Sequence, residues 1–270
     1  MSVPIEPVPD FTVSPTVHIA ATAVAAAVCL ITVAVAGRQA LSSRTPIPVL
    51  FMLGGALTVG FEPIVDVLGK CYLPRDFQWT MFTVLDRPMP VYAVLVYTAF
   101  FGGFALMSWS HLHKGGRPEG LWRKYLIAAG INIFLFETPA VSIFKVYTYY
   151  GDQPFNFWGF PLWWAFLNPV GPIAAGVIVH VLYTRLQTPP RILLPLSVAL
   201  VPVTDGMSNG ASGFPTWIAL NSEVPTWLTW CAGALTIGLS VLTIRGLIYA
   251  VTRLEQPTAT SLDSRPTQIA

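Results

Sequence analysis

Charge is scarce in this chain. Lys, Arg, Asp and Glu together make up 10% of its 270 residues, against about 25% in soluble domains. That deficit excludes an ordinary water-soluble domain. Lys and Arg are absent from the first 37 positions, so the basic start of a cleavable secretory signal is missing and none is expected. Cysteine is sparse too. Cys29, Cys71 and Cys231 are odd in number and far apart, which offers neither a disulfide framework nor a metal-binding spacing. A net charge of +2 without a basic patch leaves no case for a nucleic-acid partner. What is present is apolar: 54% of residues are hydrophobic and the mean hydropathy is +0.61. An integral membrane protein is expected, with the lipid bilayer as its surroundings.

Seven apolar stretches occur, at 17–36, 47–69, 90–112, 121–146, 161–186, 192–207 and 225–251. Each is long enough to cross roughly 30 Å of hydrocarbon, the sixth only barely. The expected fold is therefore all-α and polytopic, with seven transmembrane helices over 15–253. A loose, Pro-rich segment over 1–14 precedes them, and a disordered Pro/Thr/Ser-rich tail over 254–270 follows. Eleven of the fifteen Lys and Arg residues flank one side of this arrangement, and four (Lys70, Arg75, Arg87 and Lys145) flank the other. The positive-inside rule then places the N-terminus outside and the C-terminus in the cytoplasm, in a multi-pass protein of the cell membrane.

Against that background the acids stand out. Glu62 and Asp66 lie in the second stretch, four residues apart and so on one helical face. A charge at membrane depth costs roughly 2.5–3.5 kcal/mol even on the gentler insertion scales. Pro63 follows Glu62, removes a backbone donor and leaves a carbonyl near Val59 without its helical partner. Glu137-Thr138-Pro139 repeats the theme in the fourth stretch, and Asp205-Gly206 comes where the short sixth is expected to end. With the topology above, Glu62, Asp66, Glu137 and Asp205 fall in the outer thirds of outward-running helices. Asn168 lies near the start of an inward-running helix that Asn168-Pro169 and Gly171-Pro172 are expected to break. Five polar groups from four helices thus share one depth. An internal repeat accompanies them: Gly55, Phe61, Glu62, Lys70 and Tyr72 match Gly130, Phe136, Glu137, Lys145 and Tyr147 at a constant offset of 75.

The reading of Glu62, Asp66, Glu137 and Asp205 as catalytic acids competes with a structural one, in which they pair with Lys70, Lys145 or the kinked backbone. Irregular backbone at membrane depth is tolerated where it lines a cavity, which favours a pocket holding Asn168 and Asn209. The aromatic run from Tyr147 to Phe166 suits an interfacial belt. Some of its rings, with Tyr150, Trp158, Trp163 and Trp164 as candidates, would wall a lipophilic substrate and stabilise a passing cation. His111 and His113 read as an interfacial basic cluster, and His18 and His180 as isolated on apolar faces. Glu62-x-x-x-Asp66 lacks the second Asp-rich repeat of a magnesium-diphosphate site, so neither a metal nor a cofactor is expected.

The seven-helix size, Phe61-Glu62-Pro63 late in the second helix and Asp205 in the later part of the chain resemble the small integral-membrane terpene cyclases of meroterpenoid and indole-terpenoid pathways. The resemblance covers overall topology and these two short motifs. It implies that Glu62 and Asp205 supply the proton that starts cyclisation of an isoprenoid substrate. Glu137 has no counterpart in that pattern. Carotenoid cyclases or hydratases with buried acids, a proton- or cation-coupled transporter, and a non-catalytic lipid-binding or assembly subunit would use the same residues.

Overall fold

A computed structural model describes residues 8–75 and 79–255. The seven spans are α1 (Pro15–Ser43), α2 (Ile47–Gly69), α3 (Val91–His113), α4 (Gly120–Ile143), α5 (Leu162–Thr184), α6 (Pro190–Ser212) and α7 (Thr226–Glu255). All are long and apolar enough to cross a membrane, so the chain is a multi-pass, all-α membrane protein. Residues 1–7 of the expected N-terminal segment and 256–270 of the expected tail lie outside the described residues.

The sixth span is the main correction to the sequence boundaries. It does not stop near Met207 but runs on to Ser212, so Asp205-Gly206 is helix interior rather than a terminating turn. Pro195 and Pro202 both sit inside it, and a short helix, Phe214–Leu220, follows. The fifth span is interrupted at Asn168-Pro169, as expected, but Gly171-Pro172 lies within the first turn of the helix that resumes at Val170.

Helix α5 occupies the centre, packed on α3, α6 and α7. Small residues set these crossings, as in other membrane bundles. Gly171 meets α6 so closely that a Cβ there would stand 2.5 Å from the Asp205 Cα. Gly55 meets α3 at Gly102 in the same manner, at 2.6 Å from the Gly102 nitrogen. An apolar cluster that includes Phe51, Ala105, Trp109, Val179 and Val201 continues the bundle beyond the acids, with Phe101 on the border of the two.

The other end is capped by antiparallel ribbons. Strand β1 (Cys71–Tyr72) pairs with β4 (Thr148–Tyr149), β2 (Thr80–Val84) with β3 (Arg87–Pro90), and β5 (Asn156–Phe157) with β6 (Phe160–Pro161). The first ladder ties the end of α2 to the segment that follows α4, through Cys71 opposite Tyr149 and Tyr72 opposite Thr148.

Candidate functional site

Helix α2 winds irregularly where the acids begin. Pro63 cannot donate to the Val59 carbonyl, and the Glu62 N–H takes that carbonyl instead, in a tight turn over Val59–Phe61. The helix then resumes and ends with Lys70 in the left-handed conformation, its N–H on the Asp66 carbonyl. The matched segment of α4 is also irregular, but in the opposite sense: a widened π turn spans Asn132–Glu137, and Lys145 is again left-handed, at φ 49 against 53 for Lys70. Further π turns lie at Pro139–Ile143 of α4 and at Thr98–Gly102 of α3. Such bulges redirect side chains and recur at functional sites.

These distortions converge on one cavity of about 80 Å³, beneath the β1–β4 ladder. Glu62, Asp66, Glu137 and Asp205 all line it, together with Asn168, Asn209 and Trp164. It has room for a few water molecules or one small reacting group. Tyr92, Tyr97, Phe100, Phe101, Asn132, Phe136, Cys71, Tyr147 and Tyr149 complete most of the wall.

Three of the four carboxyls have a partner. The Tyr97 hydroxyl donates to Glu62. Tyr147 and Tyr149 donate to one oxygen of Glu137, at 2.6 and 3.1 Å. The Asn209 amide donates to Asp205 at 3.2 Å. Asp66 differs: it is fully buried and neither oxygen has a hydrogen-bond partner among the described residues, although the Cys71 thiol sits beside it. The Tyr92 hydroxyl, both polar atoms of the Asn132 amide, the Trp164 indole N–H and the Asn209 carbonyl oxygen are equally unpartnered. All belong to the same cavity wall.

Two ion pairs, Arg75–Asp86 and His180–Glu255, lie away from the cavity. The expected alternative of acids paired with Lys145 has no such contact to support it. Arg87 is buried in the cap, donates to the Tyr150 hydroxyl at 2.8 Å and brings a positive charge toward Asp66. In the cap itself, burial, and then the adjacent Asp66, push the Cys71 thiol well above its ordinary range. Burial and the Glu137 carboxyl do the same to the Tyr147 and Tyr149 phenols. Among the described residues no three His, Cys, Asp or Glu side chains are placed to share a metal ion.

Beside the polar cavity lies an apolar groove of about 390 Å³ between α1, α3 and α4. The two share a wall of Tyr92, Val96, Phe100, Phe136 and Tyr147.

Three expected substrate-wall residues are not at the site. Trp158 is 72% exposed and stacks on Phe157 instead. Trp163 is buried behind Trp164 and donates its indole N–H to Gln153 at 3.3 Å. Tyr150 holds Arg87 in the cap. The histidines expected to be isolated are not: His18 accepts the Trp79 N–H at 3.2 Å, and His180 lies 3.6 Å from Glu255. Sequence reasoning passed over Tyr92, Tyr97 and Asn132. An asparagine alone in an apolar span, five residues before Glu137, was the available signal. No family model, curated protein or solved structure matches the chain.

Proposed function

We propose that the protein is a membrane-embedded cyclase that protonates an alkene or epoxide of a lipophilic, isoprenoid-like substrate. One observation carries this reading: four carboxyls meet in a buried polar cavity that shares an aromatic wall with an apolar groove. The groove suits a hydrocarbon chain, and the cavity suits its reactive end.

In this reading the chain lies along α1, α3 and α4, and the reacting group passes between Tyr92 and Phe100. A protonated Asp66 has only the weakly bonding Cys71 thiol beside it, so it delivers the proton to the alkene carbon or epoxide oxygen. The carbocation that forms faces the rings of Tyr97, Phe101 and Trp164, each able to stabilise it by about 0.5–2 kcal/mol. An internal alkene then closes the ring, and a neighbouring carboxylate such as Glu62 or Asp205 takes the final proton. The product is an isomer of the substrate. The basic-residue bias supports a cell-membrane protein with the N-terminus outside and the cavity in the outer half. A proton-coupled transporter would need polar groups continuing toward the other side. The apolar cluster around Phe51, Ala105 and Trp109 favours a one-sided pocket.

The test is a product profile. Wild type, Glu62→Gln and Asp66→Asn are expressed in a host that makes polyprenyl epoxides and carotenoid precursors, and lipid extracts are compared by chromatography with mass detection. A new compound isomeric with its precursor, lost in both variants, is the expected result. A product heavier by one water would replace the cyclase with a hydratase. Extracts identical to the empty host, with the proteins present in the membrane, would reject both.

A further inference from the structure

At the end of the bundle opposite the acid cavity, a cleft of about 530 Å³ opens between α1, α3 and α4. None of its residues takes part in the chemistry above. Its floor is apolar, formed by Val35 of α1 and by Leu106 and Met107 of α3. Its rim is basic. Lys114 follows the last turn of α3, and Lys124 stands near the start of α4. No Asp or Glu lines it among the described residues, and Glu119 in the same connection is exposed.

The rim is well fixed. The Gly116 N–H donates to the His111 carbonyl and the Gly115 N–H to that of Leu112, both at 2.9 Å. The His111 ring meets the Arg117 carbonyl at 2.9 Å. Gly116 and Gly120 press on that ring so closely that a Cβ on either would stand 2.4 Å from it. The Ser110 hydroxyl donates to Gln39, tying α3 to α1 beside the cleft. The connection between α3 and α4 is therefore held in place, with Lys114 on it and Lys124 in the first turns of α4 on the same rim.

A molecule that satisfies both rim and floor has a negative headgroup and a hydrocarbon chain. We propose that this cleft binds an anionic phospholipid, with its phosphate at Lys114 and Lys124 and one acyl chain along Val35, Leu106 and Met107. Basic pockets between transmembrane helices recognise anionic headgroups in this way. A zwitterionic lipid gains less, because its own cation competes with the lysines for the phosphate. The proposal does not depend on the cyclase reading.

The full chain, purified in an uncharged detergent, is titrated with dioleoyl phosphatidylglycerol, dioleoyl phosphatidylcholine or inorganic phosphate while the thermal unfolding midpoint is followed. Phosphatidylglycerol is expected to raise the midpoint saturably, and the other two to leave it unchanged. Lys114→Gln with Lys124→Gln should weaken the apparent affinity about twenty-five-fold, about fivefold for each lysine. Arg191→Gln, an exposed basic position at the start of α6 on the same side, should not. An equal response to phosphatidylcholine, an equal response to phosphate alone, or undiminished phosphatidylglycerol binding by the double variant would each overturn the proposal. If the double variant does not purify folded, the wild-type contrast between the two lipids decides the matter by itself.

Discussion

Replacing Asp66 with leucine should make the protein more stable and inactive. Both carboxyl oxygens are fully buried and lack a hydrogen-bond partner among the described residues. Leaving a buried polar group unsatisfied costs about 1–3 kcal/mol, and more when it is charged. Leucine has the same branched four-atom skeleton, its bulkier methyls have the adjoining cavity to enter, and it removes that cost. The expected gain is about 1–3 kcal/mol. At about 2–4 °C per kcal/mol for a chain of this length, the unfolding midpoint in detergent should rise by about 2–12 °C. Product formation should fall by at least about a hundredfold, the lower end of what a positioned general acid contributes. Asp66→Asn separates the two effects: it loses the acid but keeps an unsatisfied polar group, so activity falls without the gain in stability. A leucine variant that melts below the wild type would refute the reasoning, because the carboxyl would then be a structural partner. Retained activity would refute it equally.

Two further outcomes follow from the packing and the cap. Gly171→Ala places a methyl 2.5 Å from the Asp205 Cα, so it should destabilise by about 1–3 kcal/mol and reduce product as Asp205 backs away. Gly238→Ala meets nothing within 4 Å and should be neutral or stabilise α7 by about 0.5–1 kcal/mol; equal melting shifts would contradict the close crossing. Tyr147 and Tyr149 are held above their ordinary value, so the fold favours their neutral forms. Their contribution to stability is full below the unfolded value of about 10 and is lost as pH rises through the folded one. Melts taken in alkaline buffers should therefore fall off above about pH 10. Tyr147→Phe with Tyr149→Phe should flatten that fall while costing about 1–3 kcal/mol at neutral pH through the lost bonds to Glu137. An unchanged alkaline slope would show that other groups titrate there.

Much of the site could be read in the sequence because membrane depth makes acids conspicuous. Glu62, Asp66, Glu137 and Asp205 had no inexpensive alternative in so apolar a chain, and the cavity brings all four together. Pro63 announced the irregular turn at Val59–Phe61, since a missing N–H has one local consequence. The aromatic choices were less legible. Between Tyr147 and Phe166 the direction of each ring depends on two short ladders and on left-handed backbone at Phe155 and Trp158, none of which composition announces. Hence Trp164 faces the cavity and Trp163 does not. Tyr92 and Tyr97 read as ordinary aromatics of an apolar helix. The π turn that follows Tyr97 widens the helix by a residue and changes which of its neighbours look inward.

The central place of α5 has a consequence for how the protein is made. The two acids of α2 leave the ribosome roughly 100 residues before α5 begins, at Leu162. At a synthesis rate of about 5–20 residues per second, this leaves them roughly 5–20 s without the helix whose Trp164 closes over Gly69. During that interval the nascent chain holds buried acids with an unfinished wall, and Asp205 has not yet been translated. Integration of α2 thus runs ahead of the contacts that justify its sequence, and the young protein depends on the insertion machinery to shelter the half-built site.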